Sequence, residues 1–124
     1  MRGLIIQSEP INEILAGEKT WEIRGKRTHI RGPIGLIEKG TGTVVGLCDL
    51  VDCIGPLSLA KMRRDVSRHR IPLAHLRSRE GHYKTIYAWV VKSARRLKRP
   101  VHYRHKSGVI IWHPLPDSLL RRAK

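Results

Sequence analysis

Between Gly17 and Gly25 the chain reads GEKTWEIRG, placing Lys19, Glu22 and Arg24 within six residues, interleaved with Trp21 and Ile23. A segment that only filled a core would not carry three charges so close together. A solvated loop would not carry that tryptophan and isoleucine. Read as a strand, the segment turns Lys19, Trp21 and Ile23 to one face and Thr20, Glu22 and Arg24 to the other. Glu22 and Arg24, two apart on one face, can pair so that the carboxylate aims the guanidinium fork at a ligand. A desolvated Lys19 amine can act as a base, whereas a charged one can hold a phosphate. A helix ending near Gly17 would present its last carbonyls and favour a cation at Lys19. The bland alternative is an edge strand with a surface ion pair and a core tryptophan.

Basic segments follow. Lys26, Arg27 and Arg31 lie between glycines in GKRTHIRG, a pattern suited to phosphate backbones. KMRRDVSRHR contributes Arg63 and Arg64, and ARRLKRPVHYRHK contributes Arg95, Arg96 and Arg104 around Tyr103. Bases with an occasional aromatic are what single-stranded RNA binding uses, the charges following the backbone and the rings stacking on bases. Trp89 and Trp112 sit in apolar runs and are expected in the core, which leaves Tyr83 and Tyr103 as stacking candidates. The candidate nucleotide-binding set is therefore these bases and Tyr103 together with Lys19, Thr20, Trp21, Glu22 and Arg24. Lys19 and Glu22 are the catalytic candidates if the protein is an enzyme. His69 with His75, and His102 with His105, lack a cysteine pair or carboxylate at ligand spacing, so neither metal nor cofactor is expected. His102 and His105 beside Lys106 can serve acid–base chemistry or contact phosphate. No P-loop, dinucleotide-binding glycine pattern or Ser-His-Asp arrangement is present.

The partner class is bounded by charge. The formal net charge is +15, from 25 Lys and Arg against 10 Asp and Glu. Through residue 60 there are seven bases and seven acids. From Lys61 onward eighteen bases face only Asp65, Glu80 and Asp117. Such asymmetry favours a polyanion, because each base set against phosphate releases condensed counterions. The alternative is a basic, solubilising face. The bases are dispersed among turns and strands rather than gathered on one amphipathic helix, which argues against a membrane surface. No apolar run approaches the roughly 18 residues of a membrane span, and the N-terminal apolar run is too short for a secretion signal. Cys48 and Cys53, five apart in an apolar strand, are expected on opposite faces as reduced, half-buried thiols, consistent with a cytoplasmic location.

The elements that must position these residues form one domain over residues 1–124. RGLIIQ reads as a buried strand. SEPINEILAGEK reads as a helix that Ser8 caps and Gly17 closes in a left-handed conformation. KTWEIR is a strand; Gly32-Pro33 is a turn before a short strand, Ile34 to Ile37. TVVGLCDLVDCIG is the longest strand candidate, with Leu47, Val51 and Cys53 on one side and Leu50 on the other. LSLAKMRRDVSRHR reads as one basic helix capped by Ser58, and IPLAHLRSREGH as a further helical turn. KTIYAWVVKS is a strand, ARRLKRPVHYRHKSG a basic connection containing Pro100, VIIWHPLP a last strand and DSLLRRAK a helical turn. The class is α+β, mainly β: a small barrel of five or six strands with an early helix and one or two short ones.

GEKTWEIR after a short helix, then GLIEKGTGTVVGLCDLVDC, IYAWVV and RPVHYRHKSGVIIWHPL, in that order over about residues 3 to 115, resemble the ASCH domain. This is the activating-signal-cointegrator homology family of PUA-like proteins. The resemblance implies a compact β-barrel with a cleft beside the Gly-x-Lys segment, acting on RNA or its modified nucleosides. Some members resemble N4-acetylcytidine amidohydrolases, in which the lysine, a threonine three positions on as nucleophile, and a distant glutamate act. Lys19 and Arg24 match the lysine and arginine of the family's Gly-x-Lys-x-x-Glu-x-Arg core. The nucleophile position is Glu22 here, and Asp65 and Glu80 are the candidates for the distant acid. Three functions follow: an RNA-binding domain holding a nucleotide beside Lys19, Glu22 and Arg24; a hydrolase on acetylated cytidine or RNA; or a module whose basic face meets an acidic protein.

Overall fold

The computed structural model describes residues 1–78 and 85–122, so Glu80 and Tyr83 lie outside the described residues. Six strands form one curled half-barrel sheet in the order β2-β5-β4-β3-β1-β6. The strands are β1 (Arg2–Ile6), β2 (Trp21–Arg24), β3 (Gly32–Glu38), β4 (Thr43–Ile54), β5 (Tyr87–His102) and β6 (Trp112–Pro114). β1 runs parallel to β3 and every other pairing is antiparallel. A parallel pair needs a crossover, and helix α1 (Ser8–Leu15) with β2 supplies it.

α1 buries Ile11 and Ile14 against Leu4, Ile34, Leu36, Cys48, Leu50 and Val91 on one sheet face. Its N-cap is Gln7, with no side-chain cap, and Ser8 instead donates its hydroxyl to Glu38 of β3 at 2.8 Å, tying helix to sheet. Ile37, Val44, Leu47 and Leu97 form a second cluster on which Leu119 of a terminal 3-10 helix (Asp117–Arg122) packs. A third cluster joins Trp21, Ile23 and Ala88 to Met62 and Ile71 beside the short helices α2 (Leu59–Arg64), α3 (Val66–His69) and α4 (Leu73–Ser78). Ser58 does cap α2, accepting from the Lys61 N–H at 3.0 Å. The single basic helix expected here breaks at Asp65, whose backbone leaves helical geometry.

Three further expectations are corrected. Gly32 and Pro33 form no turn; they open β3, opposite Leu50 and Asp49. The basic connection is strand: β5 runs sixteen residues to His102 and is longer than β4. Pro100 is tolerated because the pairing with β4 jumps from Arg96 to Val101, leaving the proline where no ladder N–H is required. Finally, register shifts along β4 break its alternation. Cys48, Leu50 and Cys53 therefore share one core cluster, Leu47 belongs to another, and Val51 is exposed.

Both cysteines are free and buried rather than half-buried. Burial, and then the Asp49 charge, push the Cys48 thiol up to about 12 against the opposing effect of Arg95. A thiol disulfide reagent at mildly alkaline pH should therefore leave Cys48 unmodified in the folded protein and label it in denaturant. A second prediction concerns Gly46 of β4, which lies directly against Leu15 of α1 and the Arg95 backbone of β5. A Cβ there would sit 2.5 Å from Leu15 Cδ2 and 2.8 Å from the Arg95 carbonyl oxygen. Gly46→Ala should destabilise by about 1–3 kcal/mol, read as a lower urea midpoint with unchanged slope.

Candidate functional site

α1 ends at Leu15, and Gly17 turns the chain at φ 79°. The N–H groups of Glu18 and Lys19 both fold back onto the Glu13 carbonyl, at 2.9 and 3.1 Å. Lys19 thus lies in this turn, ahead of β2, and strand alternation does not govern it. Its side chain is 4% exposed and lies on the same side as Glu22 and Arg24, not with Trp21 as expected. The amine donates to the carbonyl of His69 rather than to the end of α1. His69 fixes that acceptor. Its Nδ1 accepts the Ile71 N–H at 2.9 Å, so the proton sits on Nε2, which donates to the Met62 carbonyl at 2.6 Å.

Glu22, 7% exposed, stands between two cations. Its Oε2 accepts from Arg24 Nε at 3.1 Å and Nη2 at 2.9 Å; its Oε1 lies 3.8 Å from Lys19 Nζ. Arg24 Nη2 also donates to the Ile5 carbonyl at 3.1 Å. The guanidinium rests 5.5 Å from the centre of the Trp89 ring. Trp89 is itself held by its indole N–H on the Lys26 carbonyl, at 2.9 Å, and by stacking on Trp112 at 5.6 Å and 10°. The edge strand β2 therefore carries a partly buried ion pair rather than a surface one.

Lys19, Glu22 and Arg24 line one cavity of about 270 Å³ with Ile5, Gln7, Pro10, Lys39, Ile71 and Ile110. Three cations and one carboxylate face it, leaving a positive excess. Among the described residues Glu22 Oε1 accepts no hydrogen bond and Arg24 Nη1 donates none, so an acceptor and a donor remain for a ligand. A second hollow of about 470 Å³ shares Lys19, Gln7, Pro10 and Ile71 and continues to Arg70 and His75. Arg70, at φ 61°, ties this wall to Glu13 and Glu18 at 3.4 and 3.2 Å.

The other candidates are not gathered at the cavity. Thr20 is exposed, its backbone joined to Arg68 and Val91. Trp21 is core, covered by Arg68 and Lys61 at 5.4 and 6.0 Å from its ring. Lys26 is exposed, Arg27 donates to the Gly55 carbonyl over the Tyr87 ring, and Arg31 donates to the carbonyls of Thr28 and Ile30. Arg63 and Arg64 lie exposed on α2, and Arg104 is exposed. Arg95 bonds Ser93, and Arg96 bonds Asn12. None of these lines the cavity. The cavity's rim cation is Lys39, from the turn between β3 and β4, and no base of the strongly basic later half lines it. Lys39, His69 and the support of Arg24 by Trp89 carry no sequence signal, since each depends on contacts between distant segments.

Asp65, offered as a distant acid, lies away from the cavity wall and pairs with Lys61 and Arg68, both at 2.9 Å. The Lys61 hydrogen bond, then the charges of Lys61, Arg68 and Arg64, hold its carboxyl below the ordinary range against burial. Its folded value thus lies below its unfolded one. The stabilisation is complete above the ordinary carboxylate range and lost as pH falls through the lowered value. Asp65→Asn should accordingly flatten the acid limb of a stability–pH curve. Among the described residues no three His, Cys, Asp or Glu side chains converge to hold a metal ion. No helix among them is long and apolar enough to cross a membrane.

A half-barrel sheet with an early crossover helix and a charged cavity beside the helix-to-strand turn defines a small PUA-like domain. The sequence profile of the ASCH domain matches residues 4–101, and the chain belongs to the ASCH domain family. No curated protein matches it in sequence. The chain is similar in fold to the crystal structure of ASCH from Zymomonas mobilis, with a TM-score of 0.72 and 12% identity, covering 98% of this chain and 91% of that one. A serine-to-alanine mutant of the Zymomonas mobilis protein gives 0.72 and 14% identity over 97% and 91% of the two chains. A tyrosine-to-phenylalanine mutant gives 0.70 and 14% over 97% and 93%. At such identity the likeness is one of fold.

Proposed function

We propose that this ASCH domain binds RNA and holds one nucleotide in the cavity of Lys19, Glu22 and Arg24. The observation that carries the reading is the convergence of those three buried or half-buried side chains on one open cavity with a positive excess. Glu22 Oε1 offers an acceptor to an exocyclic amine, and Arg24 Nη1 a donor to a ring nitrogen or carbonyl. That is the complement of a nucleobase edge. Lys19 and Lys39 add charge for the phosphate. Bases elsewhere on the surface, Arg63, Arg64, Arg95, Arg96 and Arg104 among them, would hold the rest of a strand by counterion release. The test is a titration with single-stranded RNA across a salt series. Affinity should fall steeply as salt rises; affinity indifferent to salt would refute the reading.

A second reading, hydrolysis, is favoured by the burial of an amine and a carboxylate 3.8 Å apart at the cavity wall. In that reading Glu22 or Lys19 would take a proton from water as it attacks the acetyl carbon of N4-acetylcytidine. The carbon–nitrogen bond would break with return of the proton to N4, giving cytidine and acetate. Turnover lost on Lys19→Met would select this reading, and an inert substrate would leave the binding one.

A further inference from the structure

We infer that a third, apolar hollow, on the Tyr103 side of the nucleotide cavity, receives the next base of the same strand, so that the ligand is an RNA strand rather than a free nucleoside. This rests on the nucleotide reading above. The hollow has a volume of about 400 Å³ and is walled by Ile5, Ile37, Lys39, Tyr103, His105 and Ile110. That volume is within the range of sites for small organic groups, and its lining is mainly apolar, as a base face requires.

Continuity identifies the occupant. Ile5, Lys39 and Ile110 belong to the walls of both hollows. Lys39 is exposed at their junction, where the phosphate joining two nucleotides would lie. Ile110 is 77% exposed, a large apolar side chain left in water at the same divide, and a base on either side would cover it. Tyr103 supplies the ring, and it is pre-positioned. It packs edge-on against His113 at 4.7 Å, its hydroxyl lies 3.0 Å from His105 Nδ1, and its N–H donates to the Gly42 carbonyl. His113 also pins the loop that carries Ile110, accepting the Lys106 N–H at 3.0 Å, while the Ile5 N–H donates to the Ile111 carbonyl at 2.9 Å. Burial raises the Tyr103 phenol above its usual value, so it stays neutral near a phosphate. A ring so held loses little freedom on stacking.

The test compares three ligands on the whole protein by calorimetry: cytidine monophosphate, the cytidine dinucleotide, and that dinucleotide without its second base. Stacking of one base predicts a dinucleotide bound about 5- to 150-fold tighter than the monophosphate, with the gain lost in the analogue. Tyr103→Ala should remove the gain and leave the monophosphate affinity unchanged, and Tyr103→Phe should retain it. A dinucleotide no tighter than the monophosphate, or an analogue as tight as the dinucleotide, overturns the second site and leaves the first intact. If none of the three binds, the nucleotide reading itself fails and this inference with it.

Discussion

Glu22→Ala should lower the stability of the domain by about 3 kcal/mol and abolish measurable nucleotide binding. The carboxylate lies between Lys19 and Arg24, and its removal leaves two cations facing each other across a partly dry wall. Deleting one partner of a buried ion pair typically destabilises by about 3–5 kcal/mol. The low end applies because the Arg24 side chain keeps 22% exposure and can turn to water. Binding suffers separately. Without Oε2 the guanidinium loses two of its three hydrogen bonds, and without Oε1 the cavity loses its open acceptor. Urea unfolding should show a lower midpoint at unchanged slope. Glu22→Gln should recover part of the stability but little of the binding, because the amide cannot balance both cations. A Glu22→Ala protein as stable as the parent would show that the triad is not the tight, buried arrangement described.

Lys19→Met should weaken single-stranded RNA by about 10- to 150-fold, the value of a hydrogen bond to a charged group of roughly 1.5–3 kcal/mol. Methionine keeps the buried stem and removes only the amine. Loss of one phosphate contact also lowers the slope of log affinity against log salt by about 0.7. The slope separates a phosphate role from a structural one. The lost hydrogen bond to the His69 carbonyl can loosen α3, but loosening alone would leave the salt slope unchanged.

The charged segment was legible from residue types because few local roles explain Lys19, Glu22 and Arg24 so close to Trp21. Their facing was not. The alternation rule assigns Lys19 to the wrong side because β2 begins only at Trp21, and a residue in the turn after Gly17 takes its direction from the Glu13 carbonyl. The same rule fails along β4, where register shifts bring Cys48 and Cys53 into one cluster. Pro100 signals a break, yet β5 continues through it, because a proline interrupts a ladder only where its N–H is needed. The charge excess is correctly read as lopsided in sequence, but order along a chain does not say which surface a base occupies. The cavity's rim lysine, Lys39, comes from the neutral half. The half-barrel was legible because five or six strands and one early helix admit few arrangements, and the order of the family's motifs selected among them.

The most direct test is an amide chemical-shift map of the labelled protein titrated with cytidine monophosphate. Changes should concentrate at Lys19 to Arg24, Ile5 to Gln7, Lys39 and Ile71, and disappear in Lys19→Met. Changes confined to the outer arginines of β5 and α2, with Lys19 to Arg24 unmoved, would place the nucleotide elsewhere and contradict the assignment of this cavity.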